Sequence, residues 1–573
     1  MPDTTIPLTD KARERDVDGI SPIAILFRLA SHKFGVHGSM PNSNAQRRRL
    51  TVALMVRDDL ELVRVTLASV AEIADEILIV DTAAVPQSAA HFGVNCPPLR
   101  VLHHPWQEDF SQARNRALDE VSGDWILWLD TGETLDSSDA ASTGPLRRFV
   151  DQQATTDCAY MMLVQTPPAP GALGGEQIAR LRLIPALPHL RFEGAVRETL
   201  WPAVRQLGLR VEGIPWRIAR GAHEHDGPRK VARARRDLQL AQRVIDTCGS
   251  SADQLNCLGN ALSILQDPRR AANCYSAAVA ASESASTEKL EAYYGLLTAL
   301  DSLPELRDRQ LTVAAEALQC FPTDIQLLCA MGGYLQRRGR LDLALRSYQT
   351  AFEYGCVNPC VWHLQEVHEV AAVCCSLSLQ MQNQEGQAHD VLQRALKQSP
   401  ASARVRRHLL DLAIKQADEK GAIEQGLLLS AEPTQRMGMI QAIRGACLAA
   451  QQQWTAAKAL LQDAYREGCR DAICMKWLAA TWVALGDRSQ ARRILSEWGE
   501  QVTYRGEVSA YLRLLLDGNA SSSQLPASSS VTHPRQATRH SRAGSQAAPG
   551  LPHVLSHAQG VASLATSSVT VQD

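Results

Sequence analysis

Between residues 49 and 135 the chain alternates short, nearly unbroken apolar runs with segments of mixed polarity. Leu50-Thr51-Val52-Ala53-Leu54-Met55-Val56 leads into Arg57-Asp58-Asp59, Glu76-Ile77-Leu78-Ile79-Val80 ends at Asp81, and Trp125-Ile126-Leu127-Trp128-Leu129 delivers Asp130 and Glu133. Apolar runs of this kind, without a polar residue at every second place, predict strands buried on both faces. Leu60 to Ile73 reads as a helix with Leu62, Val65, Leu67, Ser69 and Val70 on its inner side. Phe110, Ala113, Ala117, Leu118 and Val121 have the spacing of a second helical face. Strand, helix and strand with acidic ends predict a nucleotide-binding α/β domain. Ligands of such open sheets lie beyond the carboxyl ends of the strands. Asp81, Asp130 and Glu133 therefore stand where a metal ion or a phosphate-bearing ligand would sit. No glycine-rich phosphate loop is present, which removes the dinucleotide fold and the phosphate-cradling NTPase loop.

From about residue 230 the texture changes to long helical patterns without strand signals. A small residue is followed 12, 16 and 19 positions later by Ala, a large residue and a small one: Gly259, Ala271, Tyr275, Ala278; Gly332, Ala344, Tyr348, Ala351; Gly445, Ala457, Leu461, Ala464. Ala479, Ala491 and Leu495 follow the last set at a step of 34 residues. Ala388, Leu392, Ala395 and Pro400 match the second half of another unit. This is the spacing of tetratricopeptide repeats, in which small residues let paired helices approach and a large one fills the gap. Such arrays offer a concave groove, so protein or glycan binding is the expected role.

At 573 residues the chain has room for two or three domains with their own cores. A net charge of −2 argues against a general nucleic-acid binder or an anionic-membrane binder. Twelve of the 14 cysteines fall between Cys248 and Cys474 without a Cys-x-x-Cys pair, which predicts small buried side chains in a reducing cytoplasm. No apolar run reaches the roughly 18 residues of a membrane span. Ile20 to Ala30 is too short, is interrupted by Arg28 and lacks the basic start of a secretory signal. Residues 1–47 read as a disordered extension, and 519–573, rich in Ser, Ala, Pro, Gln and His, as a disordered tail.

Five motifs stand in order over residues 48–226: Met55-Val56-Arg57-Asp58; Val80-Asp81-Thr82; Trp106…Asp109-Phe110…Ala113-Arg114-Asn115; Gly123-Asp124…Asp130-Thr131-Gly132-Glu133; and Phe192-Glu193-Gly194…Arg197-Glu198. Together they resemble the family 2 glycosyltransferases of GT-A fold, in the bacterial branch whose catalytic domain precedes tetratricopeptide repeats. The resemblance implies a GT-A α/β domain over 48–228 and an all-α repeat solenoid over 229–505. It also implies transfer of a sugar from a nucleotide-diphosphate-sugar donor, with inversion, to a glycan, lipid-linked or peptide acceptor, as in bacterial polysaccharide biosynthesis. The repeats would bind acceptor or a protein partner. The chain departs from the family pattern at Gly132, where a second acidic residue is usual, at Ala83-Ala84, which replace Gly-Ser, and at Arg197, which replaces a His.

Carried over residue by residue, the resemblance implies donor contacts from Arg57, Asp81, Arg114 and Asp130. It implies Mn²⁺ or Mg²⁺ held by Asp130, Glu133 and His225, the last followed by Gly227 as in the family's His-x-Gly. It also implies a general base at Glu198 or Glu193. Each has a plainer reading. Asp81 and Glu133 suit turn caps, and Glu193 and Glu198 suit ion pairs with Arg191 or Arg197. A scaffold with a degenerate glycosyltransferase domain and protein-binding repeats is the alternative for the whole chain.

Overall fold

A computed structural model of the chain describes residues 47–501 apart from 58, 90–91, 93–96, 136–142, 170–171, 173 and 431–435. The expected disordered extension over residues 1–47, apart from Arg47, and the expected tail over 519–573 lie outside the described residues. The apolar runs form β1 (Leu50–Val56), β2 (Glu76–Asp81) and β4 (Trp125–Trp128), joined by β3 (Leu99–His103). These four are parallel, in the order β3-β2-β1-β4. Beyond β4 the sheet turns antiparallel through β7 (Glu176–Pro185), then continues through β6 (Cys158–Thr166), β8 (Arg210–Arg220) and the short β5 (Glu133–Leu135).

Helices cover both faces of this sheet. On one side α1 (Leu60–Val70) and α3 (Thr143–Gln152) pack over Val52, Leu54, Ile77, Leu127 and Tyr160. On the other, α2 (Phe110–Leu118) packs Phe110, Ala113 and Ala117 over Ala53, Leu78, Val80 and Trp128. The inner stripe of α1 is Val63, Thr66, Leu67 and Val70, while Val65 is 52% exposed. The expected stripe with Leu62 and Val65 is thus turned by one position. The short helix α4 (Trp201–Gln206) completes the α/β part.

From α5 (Gly227–Cys248) onward the described chain is almost wholly helical. Helices α6 (Ala252–Ile264), α7 (Pro268–Ala281) and α8 (Thr287–Asp301) begin an alternation that runs to Arg488–Gln501. The small-to-large register has a direct physical cause. A Cβ placed on Gly259 would lie 2.6 Å from the Tyr275 ring, one on Gly332 2.6 Å from Tyr348, and one on Gly445 2.6 Å from Leu461. Gly295, outside the register, also presses on Tyr275, where an added Cβ would come within 2.3 Å. This is the close helix pairing expected of tetratricopeptide-like repeats.

The repeat region also contributes to the sheet. The two-residue strand β9 (His363–Leu364) pairs with Glu176 and Gln177 of β7. The Ala179 N–H donates to the Pro359 carbonyl at 2.6 Å, and the Gln365 N–H donates to Gly175 at 3.0 Å. One edge of β7 is therefore covered partly by β4 and partly by the helical region.

Candidate active site

Asp81, Asp130 and Glu133 fall at the carboxyl end of the parallel strands, Gly123 and Asp124 at the amino end of β4, and several motif residues have a structural task. Asp109 caps α2, accepting from the Gln112 N–H at 3.0 Å. Phe110 packs against Trp106 with ring centroids 4.6 Å apart. Asn115 clasps the Phe192 backbone from both sides, donating to its carbonyl at 2.9 Å and accepting its N–H at 2.8 Å. Gly123 sits where an added Cβ would come within 2.9 Å of the Arg49 carbonyl, and Asp124 accepts the Arg49 N–H at 2.7 Å. Asp81, at the end of β2, is fully buried. Its carboxylate accepts the N–H groups of Ala83 at 3.0 Å and Gln87 at 2.8 Å and faces His103 Nδ1 at 3.3 Å. The structure gives Asp81 the turn-capping role.

Asp130 lies at the end of β4 in a buried cluster of carboxylates and guanidinium groups. Arg114 NH2 donates to Asp130 Oδ1 at 2.8 Å, and Arg182 NH2 donates to Oδ2 at 2.7 Å. Arg182 also meets Glu133 Oε1 at 2.8 Å, as Arg220 Nε does at 3.1 Å. The other Glu133 oxygen accepts the Asp130 N–H at 2.9 Å. Burial alone would raise the Asp130 carboxyl, but Arg182 and Arg114 outweigh it and hold that group well below its ordinary range. Glu133 is raised by burial and by the Asp130 charge, against the pull of Arg182 and Arg220. Arg182 is the extra residue of an irregularity in β7, between the pairs Tyr160–Leu183 and Met161–Leu181. Bulges of this kind re-aim a side chain. Nothing in the sequence marked Arg182 or Arg220, because their placement depends on pairings between distant strands.

Arg114 is the hinge of the cluster. It is almost fully buried, lies 4.4 Å over the Trp128 ring, and its Nε donates to Glu198 Oε1. Glu198 Oε2 is buried without a hydrogen-bond partner. Burial pushes the Glu198 pKa up to about 7 against the pull of Arg114. Glu193, the other base candidate, pairs across the Glu193–Thr199 bridge but is exposed. Burial distinguishes the two glutamates, and only Glu198 joins the cluster. Its neighbour Arg197 points the other way and pairs with Glu291 of α8 at 2.6 and 2.9 Å and with Asp253 of α6 at 3.1 Å.

The residues expected to hold a divalent cation do not form an open donor set. Both Asp130 oxygens and both Glu133 oxygens already accept hydrogen bonds. His225 Nε2 lies 2.7 Å from the Pro167 carbonyl. Gly132 adopts φ +87°, and a Cβ there would lie 2.6 Å from the His223 ring, so an imidazole borders the place of the missing acid. Among the described residues no three His, Cys, Asp or Glu side chains are grouped to hold one ion. Hard divalent cations need free oxygen ligands, so Asp130, Glu133 and His225 as folded do not fit the expected Mn²⁺ or Mg²⁺. Beside the cluster, Met55, Arg57, Thr82, Trp106, Phe110 and Arg236 line a shallow pocket. Arg236 comes from α5, 4.8 Å over the Phe110 ring.

The family model Glycosyl transferase family 2 matches residues 51–136. A TPR repeat-containing protein of Synechococcus elongatus is 32% identical over 178 residues, 30% of this chain and 40% of that protein. The SPbeta prophage-derived glycosyltransferase SunS of Bacillus subtilis is 20% identical over 102 residues, 18% of this chain and 24% of that protein. The chain thus spans less than half the length of these curated relatives. A tetratricopeptide repeat protein from Parabacteroides merdae overlays 46% of this chain and 98% of its own at 16% identity and a TM-score of 0.33. No helix among the described residues is long and apolar enough to cross a membrane. The strand-end motifs and the family match coincide on the same residues: the chain carries a glycosyl transferase family 2 domain at 51–136, ahead of a long helical region of tetratricopeptide-like repeats.

Proposed function

We propose that the protein is an inverting glycosyltransferase of the bacterial cytoplasm. It would move a sugar from a nucleotide-diphosphate-sugar to a glycan, lipid-linked or peptide acceptor, with the repeat groove binding acceptor or a protein partner. The observation that carries this reading is Arg114, whose guanidinium joins the strand-end Asp130 to Glu198. It ties the donor end of the sheet to a carboxyl that titrates near neutrality, at about 7. A base in that range takes a proton from a hydroxyl or amide as the new bond forms and is effective near the operating pH. The unpartnered Glu198 Oε2 supplies the accepting lone pair. The shallow pocket of Arg57, Thr82, Trp106 and Phe110 at the ends of β1 and β2 supports donor binding there.

The test is a panel of nucleoside-diphosphate-sugars, scored for donor hydrolysis and for binding of the matching nucleoside diphosphate. Binding of one nucleotide with slow release of its sugar is the expected outcome. The locked Asp130 and the capping Asp81 favour a second reading, a non-catalytic scaffold with a binding module at its head. Absence of nucleotide binding across the panel would select it.

A further inference from the structure

Helix α5 opens the helical region, yet one of its faces belongs to the α/β part. Arg229, Arg236 and Arg243 follow one another at seven-residue steps, two helical turns each, and so share one stripe of that helix. Arg229 NH2 pairs with Asp59, in the loop between β1 and α1, at 3.0 Å. Arg243 NH1 pairs with Glu108, in the loop between β3 and α2. Between these two ties, Leu240 and Ala241 are buried in the same apolar cluster as Phe110. The helix is thereby laid beside the carboxyl ends of β1 and β2, and the middle arginine of the stripe reaches the pocket formed there.

The Arg236 side chain is only 19% exposed. Its guanidinium lies 4.8 Å over the Phe110 ring, and Asp237 Oδ1 accepts from its Nε and NH2, both at 3.0 Å. A planar group stacked on a ring and held along one edge has a fixed direction. Arg236 lines the pocket together with Arg57 and Thr82, so two guanidinium groups border a space walled by Trp106 and Phe110. Cations beside aromatic faces suit a ligand that joins an anion to a planar ring, which is the chemistry of a nucleoside diphosphate. Arg236 stands far outside the family match at 51–136 and comes from the helical region instead. Resting on the glycosyltransferase reading above, we propose that Arg236 is a donor-binding residue, its guanidinium contacting the diphosphate of the nucleotide-sugar, so that the donor pocket is complete only with α5 seated on the sheet. Guanidinium matches phosphate oxygens with parallel N–H donors and keeps its charge at any working pH.

Calorimetry of the full chain with UDP, GDP, ADP and dTDP, with Mn²⁺ present, tests this. The parent protein is expected to bind one of them. Arg236→Ala should weaken that binding about tenfold or more, and Arg236→Lys should recover part of it. The double variant Arg229→Ala/Arg243→Ala cuts both half-exposed ties of α5 without touching the pocket lining, and should stay within about threefold of the parent. An equal loss in the double variant would make Arg236 a strut for α5 and overturn the proposal. Unchanged affinity in a folded Arg236→Ala protein overturns it too, while leaving the glycosyltransferase reading intact. Absence of any nucleotide binding to the parent overturns both. Amide hydrogen exchange on the unaltered chain keeps the test open where the variants do not fold. Bound nucleotide should slow exchange severalfold in residues 229–243, and protection confined to the loops after β1 and β2 would rule out a contact from α5.

Discussion

Glu198 and Gly132 show how much depends on single side chains at the end of β4. The folded-state pKa of Glu198 lies above its ordinary value, about 7 against 4.5, so the native protein retains a proton that the unfolded chain releases. Its contribution to stability is therefore lost as pH rises between those two values. Glu198→Gln should flatten that part of the pH–Tm curve relative to the parent protein, measured by thermal melts from pH 4 to 8. In turnover, the parent should show an ascending limb with an apparent pKa near 7. Glu198→Gln should keep nucleotide affinity, lose that limb and lose roughly 10²-fold in rate. Lost nucleotide binding in the folded variant would show instead that Glu198 holds the donor site together. Gly132→Asp, which restores the acidic pair on paper, is expected to lower stability by about 1–3 kcal/mol. The backbone there has φ +87°, and a Cβ meets the His223 ring. A lower Tm without gain in Mn²⁺ binding is the expected reading.

At the scale of elements, the repeat register makes a signed prediction. Gly332→Ala, with Tyr348 against the added methyl, should destabilise by about 1–2 kcal/mol, overpacking outweighing better helix propensity. Gly386→Ala, in helix Glu385–Gln398, where an added Cβ meets nothing within 4 Å, should be neutral or stabilise by up to about 1 kcal/mol. Denaturant midpoints of both variants check the pair, and equal signs would contradict it. The strands and the second helix were legible because their signals are local: apolar runs for β1, β2 and β4, and a cap with spaced alanines for α2. The repeats were legible because close packing demands small residues at fixed intervals. Arg182 and Arg220 were not, since a bulge in β7 and the far strand β8 bring them to Asp130. Nor was Arg197 legible as a link to α6 and α8, because its partners lie more than 50 residues away in the chain. The site carboxylates could be named from sequence, but the cations that hold them could not.

Across the whole molecule, the α/β part and the repeats share a sheet edge and a buried ion network. A fragment of residues 48–228 lacks β9 and leaves Arg197 without Asp253 and Glu291. Removing the partners of a buried charge costs about 3–5 kcal/mol, a large part of the roughly 5–15 kcal/mol that holds a typical domain. That fragment is expected to lack a cooperative thermal transition, and one extended to residue 381, the end of helix Val367–Met381, to regain it. Near-UV circular dichroism during heating distinguishes them, and a sharp transition in the short fragment would refute the shared-edge account. The small strand β9 has a further consequence in time. Its pairing with β7 cannot form until residue 364 has been synthesised, 144 residues after β8 ends at Arg220. At a translation rate of ~5–20 residues per second, that is roughly 7–30 s in which a half-covered strand edge waits on the ribosome. During that interval the nascent domain depends on whatever shields exposed sheet edges in the cell, and slower translation lengthens the exposure.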